Sequence, residues 1–181
     1  MIPKTIVISF LTLFLFVSLG KAQFALWVTE KKVELHFDAR NLDHEQLQEM
    51  VNHNPPVEYL LFDVRQPEEY AMSHIQGAIQ LAPDITAEAF DERFATQIKN
   101  KTLIFYCSVG YRSSEVALRV QNVATKNKAT EVYNLRGGIF RWYNEGNLVM
   151  DHQGPTDHIH PYDEKWGALI RQRKPQANPI K

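Results

Sequence analysis

The sequence contains a single cysteine, Cys107, among its 181 residues. One cysteine cannot form an internal disulfide bond, and it cannot supply the several thiolates of a structural zinc site or an iron–sulfur site. These two classes of site are therefore excluded for this chain. Cys107 is then either an inert core thiol or a reactive one.

The sequence also lacks an excess of basic residues, since 20 Lys and Arg stand against 21 Asp and Glu, for a formal net charge of −1. Nonspecific nucleic-acid binding needs a basic surface that replaces the counterions of the phosphate backbone. We therefore expect no nucleic acid among the partners of this protein.

No apolar run reaches the about 20 residues of a membrane-spanning helix. The run that comes nearest, Thr5–Leu19, follows Lys4 and precedes small residues up to Ala22, and residues 1–22 include no acidic side chain. These are the features of a secretory signal peptide. We expect cleavage after Ala22 and an exported protein, periplasmic or secreted. The alternative is that residues 5–19 remain as a membrane anchor, the one case in which we expect a membrane partner.

The rest of the chain alternates between strand and helix patterns. Strands are predicted over residues 33–37, 59–64, 78–81, 102–106 and 131–135. Helices are predicted from the capping residue Asp43 to before Pro55, and over residues 67–73, 86–99, 113–128 and 139–145. This order predicts an α/β fold in one domain, residues 30–150, with a mostly parallel central sheet and helices on both faces. Residues 151–181 form a His- and Pro-rich C-terminal extension that we expect to fold over the domain.

Cys107 directly follows the predicted strand 102–106, and a helix starts a few residues later. Ligands of parallel sheets bind beyond the carboxyl ends of the strands. Gly110 permits a positive φ in the turn between, so that backbone N–H groups at the helix N-terminus can form an anion-binding nest. Such a cradle favours a reactive thiolate over an inert thiol. Arg112 either projects towards a bound anion or braces the loop.

Three blocks of residues resemble the signatures of the rhodanese-like domains, a family that includes the thiosulfate sulfurtransferases. The blocks are Asp63-Val64-Arg65 with Glu68, Tyr70 and His74-Ile75-Gln76-Gly77-Ala78; Tyr106 to Ser113; and Asn134-Leu135, Gly137-Gly138 and Trp142. Ser73 stands where the family usually has a glycine. The resemblance covers most of residues 30–150 and implies the rhodanese-like three-layer fold.

The resemblance also implies a chemistry. The thiolate of Cys107 attacks the outer sulfur of thiosulfate or a related donor, and the persulfide that forms passes its sulfur to a thiol or another thiophilic acceptor. A small sulfur-containing anion and a thiol acceptor are the expected partners, with no metal and no organic cofactor. The persulfide-binding residues are Ser108, Val109, Gly110, Tyr111 and Arg112, and the supporting residues are Asp63, Arg65 and Ser113.

Other functions remain open at this point. The chain is alternatively a non-catalytic module that carries or senses sulfur or binds a partner. A phosphatase or arsenate reductase is disfavoured, because the loop from Cys107 to Arg112 has six residues and the related phosphatases have one more.

Several other side chains have a simpler interpretation than a catalytic one. We expect His74 to be structural rather than a general base, and Trp142 to belong to the core. Asp63 and Arg65 are equally consistent with a salt bridge at a strand end. The extension's His152, His158 and His160 offer imidazoles to zinc or copper, but we favour solvated loop histidines.

Overall fold

A computed structural model describes residues 4–52, 58–171 and 173, with the backbone alone over residues 4–19. The helices of this part of the chain are α1 (Lys4–His36), α2 (His44–Asn52), α3 (Pro67–Met72), α4 (Ala87–Phe94), α5 (Tyr111–Lys126), α6 (Gly138–Asn144) and α7 (Glu164–Gly167). The strands are β1 (Asn41–Leu42), β2 (Tyr59–Asp63), β3 (Ile79–Gln80), β4 (Thr102–Tyr106), β5 (Glu131–Leu135), β6 (Val149–Asp151) and β7 (Gly154–Thr156).

The central sheet has five strands in the order β1-β5-β4-β2-β3, and every neighbouring pair is parallel. Strands β6 and β7 form a separate antiparallel hairpin. The predicted α/β class with a parallel central sheet is confirmed.

Strand β4 lies in the middle of the sheet, and all five of its residues are buried. Because side chains alternate along a strand, Leu103 and Phe105 pack with α4 and α5, whereas Ile104 and Tyr106 pack with α1, α2 and α6. Helices therefore cover both faces, as the continuous apolar run of this strand predicts. This burial fixes the end of β4, where Cys107 begins the next loop.

The predicted strand over residues 33–37 is wrong, because helix α1 continues to His36. Of the alternating apolar residues that suggested a strand, Val33 is buried but Leu35 is 88% exposed. The residues that face the domain are Leu26, Glu30 and Val33. Their spacing of three to four residues is that of one helix face. Because this face packs on the domain, the segment is stabilised as a helix rather than as a strand.

The helix boundaries also differ in part from the prediction. Helix α4 ends at Phe94 rather than at residue 99, and the chain continues in tight turns that still bury Ile98. Helix α5 begins at Tyr111, two residues early, because Gly110 takes the capping position with a φ of 99°. The two-residue strand β1 was not predicted and pairs with the end of β5.

The C-terminal half of α1 is held on the domain by an ion pair. The Glu30 carboxylate, itself buried, accepts hydrogen bonds from Arg141 of α6 at 2.8 and 2.6 Å. The predicted cleavage after Ala22 would keep both Glu30 and Arg141 in the protein, and most of the predicted signal segment 1–22 lies outside the residues whose side chains are described. Among the residues with described side chains, no helix is long and apolar enough to cross a membrane.

The extension lies against the domain. The hairpin at its start, β6 and β7, is held to the domain by reciprocal backbone hydrogen bonds of 2.8 Å between His74 and Met150. Further along, Leu169 is buried in the core, and its carbonyl accepts a hydrogen bond from the Asn144 side chain at 2.8 Å. These two anchors hold the segment between them, which includes α7, over the carboxyl end of β4.

Candidate active site

The loop that begins at Cys107 brings a thiol and backbone N–H groups together. Cys107 is 1% exposed, and its Sγ atom accepts a hydrogen bond from the N–H of Gly110 at 3.2 Å. Gly110 has a φ of 99°, a left-handed conformation that side chains disfavour. Sγ therefore lies at the N-terminus of the 16-residue helix α5, where the helix dipole stabilises negative charge.

The outward-facing carbonyls of this loop are bound by helix α6. The N–H of Ile139 donates to the Cys107 carbonyl at 2.9 Å, and the N–H of Phe140 donates to the Ser108 carbonyl at 3.1 Å. This approach requires Gly138, because a Cβ atom there would lie 2.2 Å from the Cys107 carbonyl oxygen. The glycine pair of the third sequence block thus lets α6 hold the cysteine loop.

Arg112 braces the loop through a buried carboxylate. Its two Nη atoms donate to the carboxylate of Glu69 at 2.8 and 2.9 Å, and Nη2 also donates to the Ser108 hydroxyl at 3.0 Å. The Ser108 hydroxyl donates in turn to Glu69 at 3.1 Å. Arg112 thus braces the loop through a carboxylate and a hydroxyl rather than through loop carbonyls.

The electrostatics of this pair agree with its geometry. Burial opposes the charge of Glu69, but the hydrogen bonds from Arg112 and from the Gln66 N–H, with the arginine charge, lower the pKa of the Glu69 carboxyl. Burial likewise opposes the charge of Arg112, and the Glu69 hydrogen bonds together with the negative charges of Cys107 and Glu69 raise the pKa of its guanidinium. Both groups therefore stay ionised at neutral pH.

Glu69 was missed in the sequence, where its neighbour Glu68 was taken as part of the first block. Glu68 is exposed, whereas Glu69 is buried. The helical spacing held a signal for this difference, because Glu69 is the third residue of α3 and completes a capping box with Gln66. In this motif the Glu69 carboxylate accepts the N–H of Gln66 at 3.0 Å, which holds it at the start of the helix.

Ser113 supports the loop from the side of the sheet. Its hydroxyl donates to the Asn134 side chain at 2.7 Å, and Asn134 packs directly beneath Gly110. Asn134 also donates to Asn41 of β1 at 2.7 Å. The predicted supporting residue is therefore buried under the loop, on a polar network that links α5 to strands β5 and β1.

Asp63 and Arg65 form a fully buried ion pair at the end of β2. The guanidinium of Arg65 donates to Asp63 at 2.6, 2.9 and 3.2 Å and to the carbonyl of Ser73. Among the described residues, these hydrogen bonds hold the connection after α3 rather than the cysteine loop itself. The structure thus places the pair at a strand end, where its hydrogen bonds are made to residues other than Cys107.

The extension completes a pocket above the thiol. A cavity of about 170 Å³ is lined by the loop residues Cys107, Ser108, Val109, Tyr111 and Arg112 together with Tyr162 and Trp166. The Tyr162 ring lies 5.1 Å from the Arg112 guanidinium carbon, in a cation–π contact. Both aromatic residues belong to the extension, so their place beside the thiol depends on how the extension folds back.

The other candidates from the sequence occupy structural positions. The His74 ring stacks on Tyr70 at 4.1 Å, and Trp142 is a core residue whose indole N–H donates to the Leu148 carbonyl at 2.8 Å. His160 accepts the N–H of Tyr162 at 3.0 Å. In the part of the chain that the structure describes, no three His, Cys, Asp or Glu residues are grouped so as to hold a metal ion.

Comparison with known proteins agrees with this geometry. A model of the rhodanese-like domain matches residues 43–145, more than half of the chain. The thiosulfate:glutathione sulfurtransferase of Saccharomyces cerevisiae is 29% identical over 133 residues, covering 68% of this chain and 91% of that protein. The YqhL protein of Bacillus subtilis is 34% identical over 82 residues, or 45% of this chain, and the chain spans only 59% of its length.

The fold also resembles the crystal structure of the BH2092 protein from Bacillus halodurans, with a TM-score of 0.54 and 20% sequence identity. The superposition covers 72% of this chain and 90% of the other chain. At that identity the likeness concerns the fold alone. The family match takes in the cysteine loop, its Glu69–Arg112 brace and the α6 N-terminus that binds the loop carbonyls. By fold, by site geometry and by sequence, the chain belongs to the rhodanese-like domain family.

Proposed function

We propose that this protein is a sulfurtransferase that moves a sulfane sulfur from thiosulfate or a related donor to a thiophilic acceptor through a persulfide on Cys107. In the first step the Cys107 thiolate attacks the outer sulfur of thiosulfate. A new S–S bond forms between Cys107 and this sulfur as the S–S bond of thiosulfate breaks. The electron pair of the broken bond leaves with sulfite. In the second step the acceptor attacks the outer sulfur of the persulfide, and Cys107 leaves as a thiolate.

The observation that carries this proposal is the contact between the Gly110 N–H and the Cys107 Sγ atom at 3.2 Å. A donor aimed at the thiol stabilises the charge of a thiolate, and the same nest accommodates the charge of a persulfide one atom further out. Covalent catalysis of this kind divides one difficult transfer into two easier displacements.

The length of the cysteine loop favours sulfur transfer over phosphate transfer. The loop from Cys107 to Arg112 has six residues. The related phosphatases have one residue more, which makes a cradle wide enough for phosphate.

Thiosulfate:cyanide turnover by the purified protein and by a Cys107→Ser variant tests the proposal. We expect thiocyanate from the wild type alone, and a mass increase of one sulfur atom on the peptide that contains Cys107 after incubation with thiosulfate. A wild type that neither turns over nor gains sulfur would leave a partner-binding module as the function. Hydrolysis of an aryl phosphate that depends on Cys107 would reject sulfur transfer altogether.

A further inference from the structure

A second, larger cavity that the proposed chemistry does not use lies next to the pocket over Cys107. This groove has a volume of about 780 Å³ and shares Val109, Tyr111 and Trp166 with the pocket. Its size falls in the about 300–1,000 Å³ range of small-molecule sites. A ligand that lies in the groove therefore contacts the loop that carries the thiol.

Both walls of the groove lie outside the residues that the family model matches. One wall is the C-terminal half of α1, with Phe24, Val28 and Val33, and the other is the extension, with Trp166 and Leu169. The rhodanese-like domain itself, residues 43–145, contributes only the loop residues at the inner end. The groove is thus a feature of this chain rather than of the domain alone.

The lining of the groove is apolar with a positive edge. Lys32, His36 and Lys165 lie among the lining residues, and none of the lining residues that the structure describes is acidic. In that part of the chain, neither lysine takes part in an ion pair, although Lys165 lies 5.8 Å from the Trp166 ring. An occupant that matches this surface has an apolar body and an anionic group.

We propose that the groove binds the sulfur acceptor, and that this acceptor is a thiol on an extended apolar chain that ends in a carboxylate or a similar anion. The proposal rests on the proposed function, because the thiol end must reach a Cys107 persulfide. The acceptor thiolate attacks the outer sulfur, the S–S bond to Cys107 breaks, and the acceptor leaves as an organic persulfide. The lysines bind the anionic end, and the apolar walls bind the chain.

Binding of simple fatty carboxylates tests the groove without any catalysis. Each buried methylene improves affinity about fourfold, so octanoate, with four methylenes more than butanoate, should bind at least about 50-fold more tightly in calorimetry with the full-length protein. Equal affinities for the two probes would overturn the proposal.

Transfer to thiols then tests whether the occupant is the acceptor. After loading with thiosulfate, the persulfide should react with 8-mercaptooctanoate at far lower concentration than with 4-mercaptobutanoate, whereas cyanide, which needs no groove, serves as the internal reference. If octanoate binds but the two thiols react alike, the groove holds an anionic lipid rather than an acceptor. If thiosulfate does not load Cys107 at all, the proposed function has failed, which is a different result.

Matched variants locate the effect on α1. Phe24→Ala and Lys32→Gln should each reduce the ratio of the 8-mercaptooctanoate rate to the cyanide rate by about fivefold or more. Their controls are Leu35→Ala, which truncates an exposed apolar side chain of the same helix, and Lys31→Gln. Neither control residue lines the groove. Equal ratios in variants and controls would overturn the proposal. So would a dimer that Phe24→Ala dissociates in sedimentation, because a second copy would then fill the groove.

Discussion

Replacement of Glu69 by glutamine should loosen the cysteine loop while keeping the shape of the side chain. The carboxylate of Glu69 binds the guanidinium of Arg112 through two hydrogen bonds and accepts a third from the Ser108 hydroxyl. In Glu69→Gln one oxygen and the negative charge are lost. The arginine then loses its carboxylate partner at the N-terminal end of α5.

The size of the effect follows from burial. Removing one partner of a buried ion pair costs about 3–5 kcal/mol, but the Arg112 side chain is 23% exposed, so that water screens part of the charge left behind. We therefore expect Glu69→Gln to lower the free energy of unfolding by about 2 kcal/mol. With a urea m-value of about 2 kcal/mol/M, this loss moves the denaturation midpoint by about 1 M.

The loss should depend on pH in a defined direction. The pKa of Glu69 is lowered in the folded protein, so its contribution is complete above the unfolded value of about 4.3 and declines as the pH falls through the folded pKa. The wild type and Glu69→Gln should thus differ by a constant amount at neutral pH and converge in acid. The glutamine variant has no such carboxyl to titrate.

Urea denaturation at pH 7 and over an acidic series measures both quantities. Glu68→Gln is the matched control, because Glu68 is the adjacent, exposed carboxylate of the same helix turn and should change stability by less than about 0.5 kcal/mol. Equal stabilities of the two variants at pH 7 would refute the brace. A difference that persists unchanged into acid would refute its electrostatic origin.

Two further variants test how neighbouring helices hold the site. Gly138→Ala should lose at least about 2 kcal/mol more than Gly146→Ala. Both residues have a positive φ, but only the first would place a Cβ atom against the Cys107 carbonyl, at 2.2 Å; equal losses in urea denaturation would contradict the close approach. Glu30→Gln should speed amide hydrogen exchange in residues 23–36 by at least about tenfold, because it breaks a buried ion pair that docks α1. Lys31→Gln should leave that exchange unchanged, and similar exchange in the two variants would show that α1 is held by other contacts.

The sheet could be predicted because strands that are buried on both faces consist of continuous apolar residues. The runs at β2 and β4 are apolar without alternation, and both were placed within one residue of their observed ends. Residues 33–37 were misassigned for the opposite reason. Their alternation suits a strand, but Val33 shares a helix face with Leu26 and Glu30. This face packs on the domain, where Glu30 pairs with Arg141 of α6.

The candidate site likewise has a part that the sequence predicted and a part that depends on the fold. The thiol, the turn glycine and the start of the helix are consecutive in the chain, so their geometry follows from local rules. Glu69 is 43 residues away from Arg112, and the choice between it and Glu68 depends on which side of α3 faces the loop. Tyr162 and Trp166 reach the pocket only because the extension is anchored through Leu169 and Asn144.

The amino-acid sequence by itself determined the parallel α/β class, the position of Cys107 after a covered strand and the short glycine-containing loop that follows it. These features depend on the period of apolar residues and on backbone conformations that act over a few residues. Only the tertiary structure decided which carboxylate neutralises Arg112 and which aromatic side chains enclose the thiol. Those contacts join distant segments, and their energy depends on burial, which is a property of the packed chain and not of any one segment.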